Sequence, residues 1–159
     1  ELLNIIKEKN LPRIGEGLLG DPTTEVRLSN MDEFIQEMES NFNPKAKNPK
    51  SPAAGLYQFT KDSLVTAVNR LANTIGEDNL PQWAVEAREH KDARKLSEEE
   101  QKVLFYADMF QKSGSDKYLA SILKDGNTQA VIDYYKDLHH TDPDEATLKR
   151  ISKIYKIYN

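Results

Sequence analysis

The chain has 159 residues, of which 30% are charged, and a formal net charge of −4, so no general basic field favours nucleic acid. It contains no cysteine, which excludes disulfides, thiol catalysis and cysteine-based zinc sites. No apolar run approaches the roughly 18 residues that cross a bilayer, so we expect no membrane span. The length indicates one domain with a sizeable core.

The N-terminal segment predicts a short helix followed by a loop. Residues 1–10 place their leucines and isoleucines on one side, and prolines and glycines recur from Leu11 to Thr24. We therefore separate residues 1–25, which pack on or lead into the main body, from a domain at residues 26–159. The chain begins at Glu1 without methionine, so we expect a processed protein or a segment of a larger one.

The next predicted helix carries the leading candidate for catalysis, Glu39. Ser29 or Asn30 is its predicted N-cap. Its apolar residues recur at helical spacing and form one buried stripe: Met31, Phe34, Ile35 and Met38. Glu39 lies beside this stripe at the helix end, where partial dehydration raises the pKa of a carboxyl group, as a general acid requires. An ordinary solvated glutamate is the alternative interpretation.

A polar loop with three prolines follows from Asn43 to Ala53 and leaves room for a small β-hairpin near the active-site loop. Helical periodicity then continues to the end of the chain. The predicted boundary residues are Gly76, Pro81, Ser97 with Glu100, Ser115, Gly126, and Thr141 before Pro143. The pattern gives seven or eight helices and no strong strand signal, so the predicted fold class is mainly α.

The histidine pair His139-His140, with Asp142 nearby, is a weak metal signal. Adjacent residues of a helix point to different faces, and no third ligand is evident. We interpret the pair as a surface helix end and predict no metal site.

Two strings of the chain carry a family resemblance. ESNFNPKA begins at Glu39, Ser51 follows, and AAGLYQF ends at Phe59. This pattern resembles the signature of the soluble lytic transglycosylases, whose fold is goose-lysozyme-like. Looser blocks follow in the family's order, from Gln101 and again up to Tyr135, so that the likeness covers about residues 28–140. The resemblance implies a lysozyme-like, mainly-α transglycosylase domain.

The resemblance also assigns roles to single residues. Glu39 matches the catalytic acid/base, and Ser40 matches the serine that orients it. The positions that match substrate-binding residues are Ser40, Ser51, Gly55, Leu56, Tyr57, Gln58, and Tyr134 or Tyr135. The asparagine of the family's Ala-Tyr-Asn motif is missing here, which leaves the tyrosine register open. The implied partner is the peptidoglycan glycan strand, and no cofactor is implied.

The stretch from Ser40 to Phe59 contains no aspartate or glutamate. An inverting hydrolase needs a second carboxylate about 6.5–9.5 Å from the acid to activate water, and goose-type lysozymes are thought to supply it from this interval. Its absence favours a lytic transglycosylase, which cleaves the MurNAc–GlcNAc β-1,4 bond and forms a 1,6-anhydromuramoyl product. A distant acid such as Asp62 or Glu77 keeps a muramidase open. A catalytically silent wall-binding or structural module is the third hypothesis.

The string GLYQF looks like that of phage virion proteins that open the cell wall during DNA entry. We therefore expect part of a larger virion or cell-wall-acting protein that works in the bacterial periplasm and cell wall. A secreted or periplasmic bacterial protein is the alternative.

Overall fold

The computed structural model describes residues 1–158, and the side chains of residues 1–154. It confirms a mainly-α fold class. Its α-helices are α1 (Leu2–Ile14), α2 (Pro22–Ser40), α3 (Lys61–Ile75), α4 (Gln82–His90), α5 (Glu98–Gln111), α6 (Ser115–Asp125), α7 (Thr128–Tyr134) and α8 (Glu145–Tyr158). Short 3-10 turns cover Glu77–Asn79 and Ala93–Lys95, and a π-helical turn covers Tyr135–His139. None of the helices in the described part of the chain is long and apolar enough to cross a membrane.

Helix α5 is the central element of the core. Its buried residues cover nearly its whole circumference: Val103, Leu104, Phe105, Tyr106, Ala107, Met109 and Phe110. A helix that is apolar on all sides is stable only inside a protein, and α1, α3 and α6 pack around this one. The predicted capping box is confirmed, because Ser97 Oγ accepts from the Glu100 N–H at 3.1 Å and Glu100 Oε1 accepts from the Ser97 N–H at 2.9 Å.

Helix α1 extends beyond its predicted end. Leu11 and Ile14 are both buried in the core, and their burial draws the last turn into the helix although it contains Pro12. The predicted loop from Leu11 to Thr24 was therefore wrong at both ends, and only residues 15–21 connect α1 to α2.

The N-cap of helix α2 lies eight or nine residues before the predicted Ser29 or Asn30. Asp21 is the actual N-cap, since its carboxylate accepts from the Thr23 N–H at 2.8 Å, and Pro22 occupies the first helical position. The predicted division between residues 25 and 26 falls inside this helix. Residues from α1 belong to the same hydrophobic core as the rest of the chain.

Glycines end two helices as predicted. Gly76 follows α3 and Gly126 follows α6, both with positive φ. Two predicted N-caps were wrong. Ser115 lies inside α6 behind Gly114, which makes no side-chain cap. Helix α8 begins at Glu145, and Asp144 Oδ1 accepts from a backbone N–H of its first turn at 2.7 Å.

The loop between α2 and α3 contains no strand in residues 41–60. Isolated antiparallel bridges pair Lys47 with Ala54, and Ala54 with Phe59. The predicted hairpin is thus reduced to single bridges that fold the loop back beside the end of α2.

Candidate active site

Glu39 and Ser40 are the last two residues of α2. The chain then turns sharply, because Asn41 and Phe42 both adopt left-handed backbone conformations, with φ of 52° and 64°. Each such residue costs about 1–3 kcal/mol, so the surrounding contacts must hold the turn in place. One of those contacts is made by Ser40, whose Oγ lies 2.8 Å from the Leu56 carbonyl oxygen. The predicted contact between Ser40 and Glu39 is replaced by this link between α2 and the loop.

An open groove of 350 Å³ lies at this helix end. Its lining residues come from α2, the following loop and α8: Glu39, Ser40, Asn41, Ala46, Lys47, Asn48, Pro49, Gln58 and Arg150. Glu39 is the one carboxylate among these described lining residues, whereas Lys47 and Arg150 are cationic. The groove can therefore donate one proton from a carboxyl group and attract anionic groups at its rim.

The Glu39 carboxyl group is almost completely withdrawn from solvent, with 9% of its side chain exposed. This burial raises the pKa of Glu39, which confirms the predicted direction. The hydrogen bond from Tyr135, the nearby His140 ring and the charge of Arg150 act in the opposite sense. Glu39 is thus a buried acid whose anion is still supported by neighbouring groups, as an acid that must also act as a base requires.

Of the two tyrosines that the sequence left open, Tyr135 is the one that contacts Glu39. Its hydroxyl donates to Glu39 Oε1 at 2.6 Å, and its ring packs edge-on against Phe34 of α2. Tyr134 is fully buried, and its hydroxyl has no hydrogen-bond partner among the described residues. Tyr134 therefore makes no contact with Glu39 or with the groove in the described part of the chain. Tyr135 is also buried, and its hydroxyl is bonded to Glu39, so substrate contact by Tyr135 stays a prediction.

His140 lies on the same side of the acid as Tyr135. Its Nδ1 is 3.3 Å from Glu39 Oε1, and its ring stacks on the Tyr135 ring with a 5.7 Å centroid separation and a 13° interplanar angle. The π-helical turn makes this possible, because its wider loop closes with a hydrogen bond of 2.7 Å from the His140 N–H to the Tyr135 carbonyl. The histidine pair lies at a helix end, as predicted, but only His140 is partly exposed, whereas His139 is buried.

His139 is a neutral structural residue beside the same site. Burial and the nearby Lys112 charge lower the pKa of His139 to about 3. Its Nε2 lies 3.0 Å from the Tyr57 carbonyl oxygen, which can only accept, so the ring hydrogen is on Nε2. The 3.9 Å approach of Nε2 to Glu39 Oε1 is accordingly not an ion pair.

Arg150 joins α8 to the end of α2. Its guanidinium donates to the carbonyl oxygens of Met38 and Glu37 at 3.0 and 2.6 Å. These are carbonyls of the last helical turn, where a cation is favourable. The same side chain lines the groove, so α8 supplies a positive charge next to Glu39.

The turn from Gly55 to Phe59 is anchored by hydrogen bonds to the side chain of the buried Gln101. Gln101 Oε1 accepts from the Leu56 N–H at 2.8 Å, and its Nε2 donates to the carbonyls of Pro44 and Leu96 at 3.2 and 3.1 Å. Gly55 has a φ of 84°, and a Cβ there would lie 2.4 Å from Gln101 Oε1. Only glycine fits this approach without displacing the amide.

A second anchor of the turn is the buried Asp32. Asp32 Oδ1 accepts from the Tyr57 hydroxyl at 2.6 Å and from Gln36 Nε2 at 2.9 Å. The Tyr57 ring stacks on Phe105 of α5 with a 4.3 Å centroid separation. These contacts bind the turn to both α2 and α5.

The structure separates the predicted substrate-binding residues into two groups. Ser40 and Gln58 line the groove. Gly55, Leu56 and Tyr57 are buried and shape the turn, so substrate contact at these three positions stays a prediction. Ser51 is also placed in a shaping role: its hydroxyl accepts from the Ala53 N–H at 3.1 Å, and it does not line the groove in the described part of the chain.

Sequence reasoning missed five residues that build the site: Asp32, Gln101, His139, His140 and Arg150. The histidine pair had a usable signal, since it directly follows the tyrosine motif. No comparable signal marks Arg150, because its role depends on how α8 packs on α2. In the described residues, no group of three or more acidic, histidine or cysteine side chains is arranged to hold a metal ion.

Neither distant acid considered as a second carboxylate lies in the groove lining. Glu77 is bound to Arg88, with an N–O distance of 2.5 Å, and Asp62 is exposed in the first turn of α3. A third acid, Asp144, precedes α8, and its charge acts on both His140 and Tyr135. It is fully exposed and caps α8.

Comparison with known proteins gives one family. Residues 29–87 match the model of the transglycosylase SLT domain. This stretch contains Glu39, the groove loop and the Gly55–Phe59 turn, and the match supports transglycosylase-type activity on peptidoglycan. No curated protein and no solved structure matches the chain.

Proposed function

We propose that this protein is a lytic transglycosylase that cleaves the β-1,4 bond between N-acetylmuramic acid and N-acetylglucosamine. The observation that carries the proposal is the solitary carboxylate of the groove. Glu39 is buried, its pKa is raised, and no other acid lines the groove among the described residues. A site with one acid and no base for water suits a reaction in which the substrate supplies its own nucleophile.

The proposed reaction uses Glu39 twice. As an acid, Glu39 donates its proton to the glycosidic oxygen, the bond from that oxygen to C1 of the muramoyl residue breaks, and the departing glucosamine gains a 4-hydroxyl. The muramoyl 6-hydroxyl then bonds to C1 while the Glu39 carboxylate takes its proton. The product is a 1,6-anhydromuramoyl end, no water is consumed, and Glu39 returns to its protonated form.

Groups around Glu39 support this cycle. The Tyr135 hydroxyl holds one carboxyl oxygen, so the acid keeps one orientation during both proton transfers. Gln58 lies in the groove with an amide that can bind polar groups of a sugar. Lys47 and Arg150 form a cationic rim that suits the carboxylates of peptidoglycan stem peptides.

The decisive experiment is the digestion of purified peptidoglycan followed by mass spectrometry of the released muropeptides. We expect anhydro-muropeptides from the parent protein and no release from Glu39→Gln, which keeps the size of the side chain. Products heavier by one water would contradict the lyase. No release from either the parent or Glu39→Gln would contradict both enzymatic hypotheses and leave the wall-binding module.

A muramidase is the second candidate, and the position of Asp144 is the observation that favours it. Asp144 precedes α8 and acts electrostatically on His140 and Tyr135 beside the acid. If the products contain the added water, Asp144→Asn should abolish their formation. Asparagine is also a good N-cap, so this variant should leave α8 intact.

The biological setting stays a prediction from the resemblance of GLYQF. We propose a phage virion component that opens the cell wall locally during DNA entry, as part of a larger protein acting in the periplasm. Antibodies against this chain should detect it in purified phage particles. Detection in the periplasm of uninfected cells alone would instead support a bacterial protein.

A further inference from the structure

His140 is the residue beside Glu39 that the proposed reaction has not yet used. Its Nδ1 lies 3.3 Å from Glu39 Oε1, the same oxygen that accepts from the Tyr135 hydroxyl at 2.6 Å. A histidine N–H at this position makes two donors converge on one carboxyl oxygen. The other oxygen, Oε2, is then left to carry the proton.

The backbone around His140 is built to hold this position. The π-helical turn Tyr135–His139 ends in the bond from the His140 N–H to the Tyr135 carbonyl, and the two rings stack nearly parallel. Such π turns occur frequently at functional sites, because they place neighbouring side chains where an α-helix would not. Although 40% of the His140 side chain is exposed, the Tyr135 ring restrains its plane.

Other charged groups face this pair from several elements. The charge of Arg150 in α8 acts on Glu39. The charge of Asp144, which precedes α8, acts on His140. Lys50 of the groove loop acts on Asp144. His139 is neutral and donates its Nε2–H to the Tyr57 carbonyl oxygen. His140 is therefore the imidazole placed to donate to Glu39.

We propose that His140 is a positioning residue that shares Glu39 Oε1 with Tyr135, directs the proton to Oε2 and stabilises the Glu39 carboxylate between the two proton transfers. The catalytic part of this inference rests on the proposed function, whereas the contact between the two side chains does not.

The contact with His140 affects the equilibrium between the protonated and the ionised form of Glu39. Burial favours the protonated form of Glu39, which the first proton transfer needs, and the two donors favour the anion that the second transfer needs. Removing the His140 donor shifts this balance toward the protonated form. The pH at which Glu39 loses its proton should then rise, and the alkaline limb of the rate profile should move with it.

The test compares His140→Ala with His140→Asn. Asparagine keeps an N–H donor near the position of Nδ1 but carries no charge. For His140→Ala we expect the rate at the optimum to fall about tenfold and the alkaline limb to move up by about one pH unit, the order of one hydrogen bond to a charged group. His140→Asn should recover most of the rate. His90→Asn, the same change outside the groove, should match the parent.

A second measurement separates this inference from the proposed function. The Glu39 carboxyl carbon can be followed by carbon-13 NMR during a pH titration without substrate, with Glu39→Gln for assignment. We expect its midpoint to be higher in His140→Ala than in the parent, even if no peptidoglycan is cleaved. An unchanged midpoint in a folded His140→Ala protein would overturn the inference. The inference would also be overturned if the parent is active and the rate of His140→Ala is lower by the same factor at every pH.

Discussion

Tyr135 donates its hydroxyl hydrogen to Glu39 Oε1 at 2.6 Å, across 96 positions of sequence. This bond joins the end of α2 to the π-helical turn that follows α7. It also places the stacked His140 ring beside the same carboxyl group. The acid is therefore positioned by two distant parts of the chain that meet only in the folded protein.

Removing the Tyr135 hydroxyl should weaken catalysis without unfolding the protein. In Tyr135→Phe the carboxylate loses a charge-assisted donor, and we expect the rate to fall about 10- to 100-fold. Tyr134→Phe is the matched control on the adjacent residue. It removes a buried hydroxyl without a described partner, so it should keep the activity and raise the free energy of unfolding by about 1 kcal/mol. Peptidoglycan turnover and urea unfolding measure the two effects, and equal turnover of the two variants would count against the assigned register.

Replacing the acid itself should change how stability depends on pH. The pKa of Glu39 is raised in the folded state, so its contribution to stability is fully present below the ordinary glutamate value and is lost as the pH rises through the folded value. Because glutamine does not titrate, the Glu39→Gln protein shows no corresponding loss of stability as the pH rises. Its stability relative to the parent should therefore increase from acidic to neutral pH, as measured by denaturant unfolding across that range. A constant difference would mean that Glu39 is solvated.

The close approach at Gly55 should make it intolerant of any side chain. Gly55→Ala faces both a positive φ and the Gln101 amide at 2.4 Å from the new Cβ. We expect a loss of about 2–4 kcal/mol in the free energy of unfolding from backbone strain and overpacking. Gly20→Ala is the control: its φ is 81°, yet nothing lies within 4 Å of its new Cβ. It should cost only the strain of about 1–2 kcal/mol, and equal losses would show that the contact with Gln101 is unimportant.

The Gln101 amide should matter for both stability and substrate binding. Gln101→Ala leaves the buried Leu56 N–H without its acceptor and releases the Pro44 carbonyl. We expect a loss of about 2–4 kcal/mol in unfolding free energy and a higher KM, because the turn that carries Gln58 loosens. Gln129→Ala, on the exposed face of α7, should change neither quantity appreciably. A stable Gln101→Ala protein with the parent's KM would contradict the anchoring role.

The sequence by itself determined the mainly-α class, several helix ends and Glu39 as the candidate acid. These features depend on interactions close along the chain: the apolar stripe of α2, the capping box at Ser97, the helix-ending glycines, and a glutamate next to a buried face. Local patterns failed where burial outweighed them. Helix α1 passes through Pro12 because Leu11 and Ile14 are drawn into the core.

Only the tertiary structure decided which groups surround Glu39. The choice of Tyr135 over Tyr134, the approach of His140 and the capping of α2 by Arg150 depend on how the π-helical turn and α8 pack on α2. A shift of one residue around a helix turns a side chain by about 100°, so no spacing rule could assign that register. Glu39 was recognisable as an acid from its neighbours in sequence, but its hydrogen-bond donors come from residues about a hundred positions away.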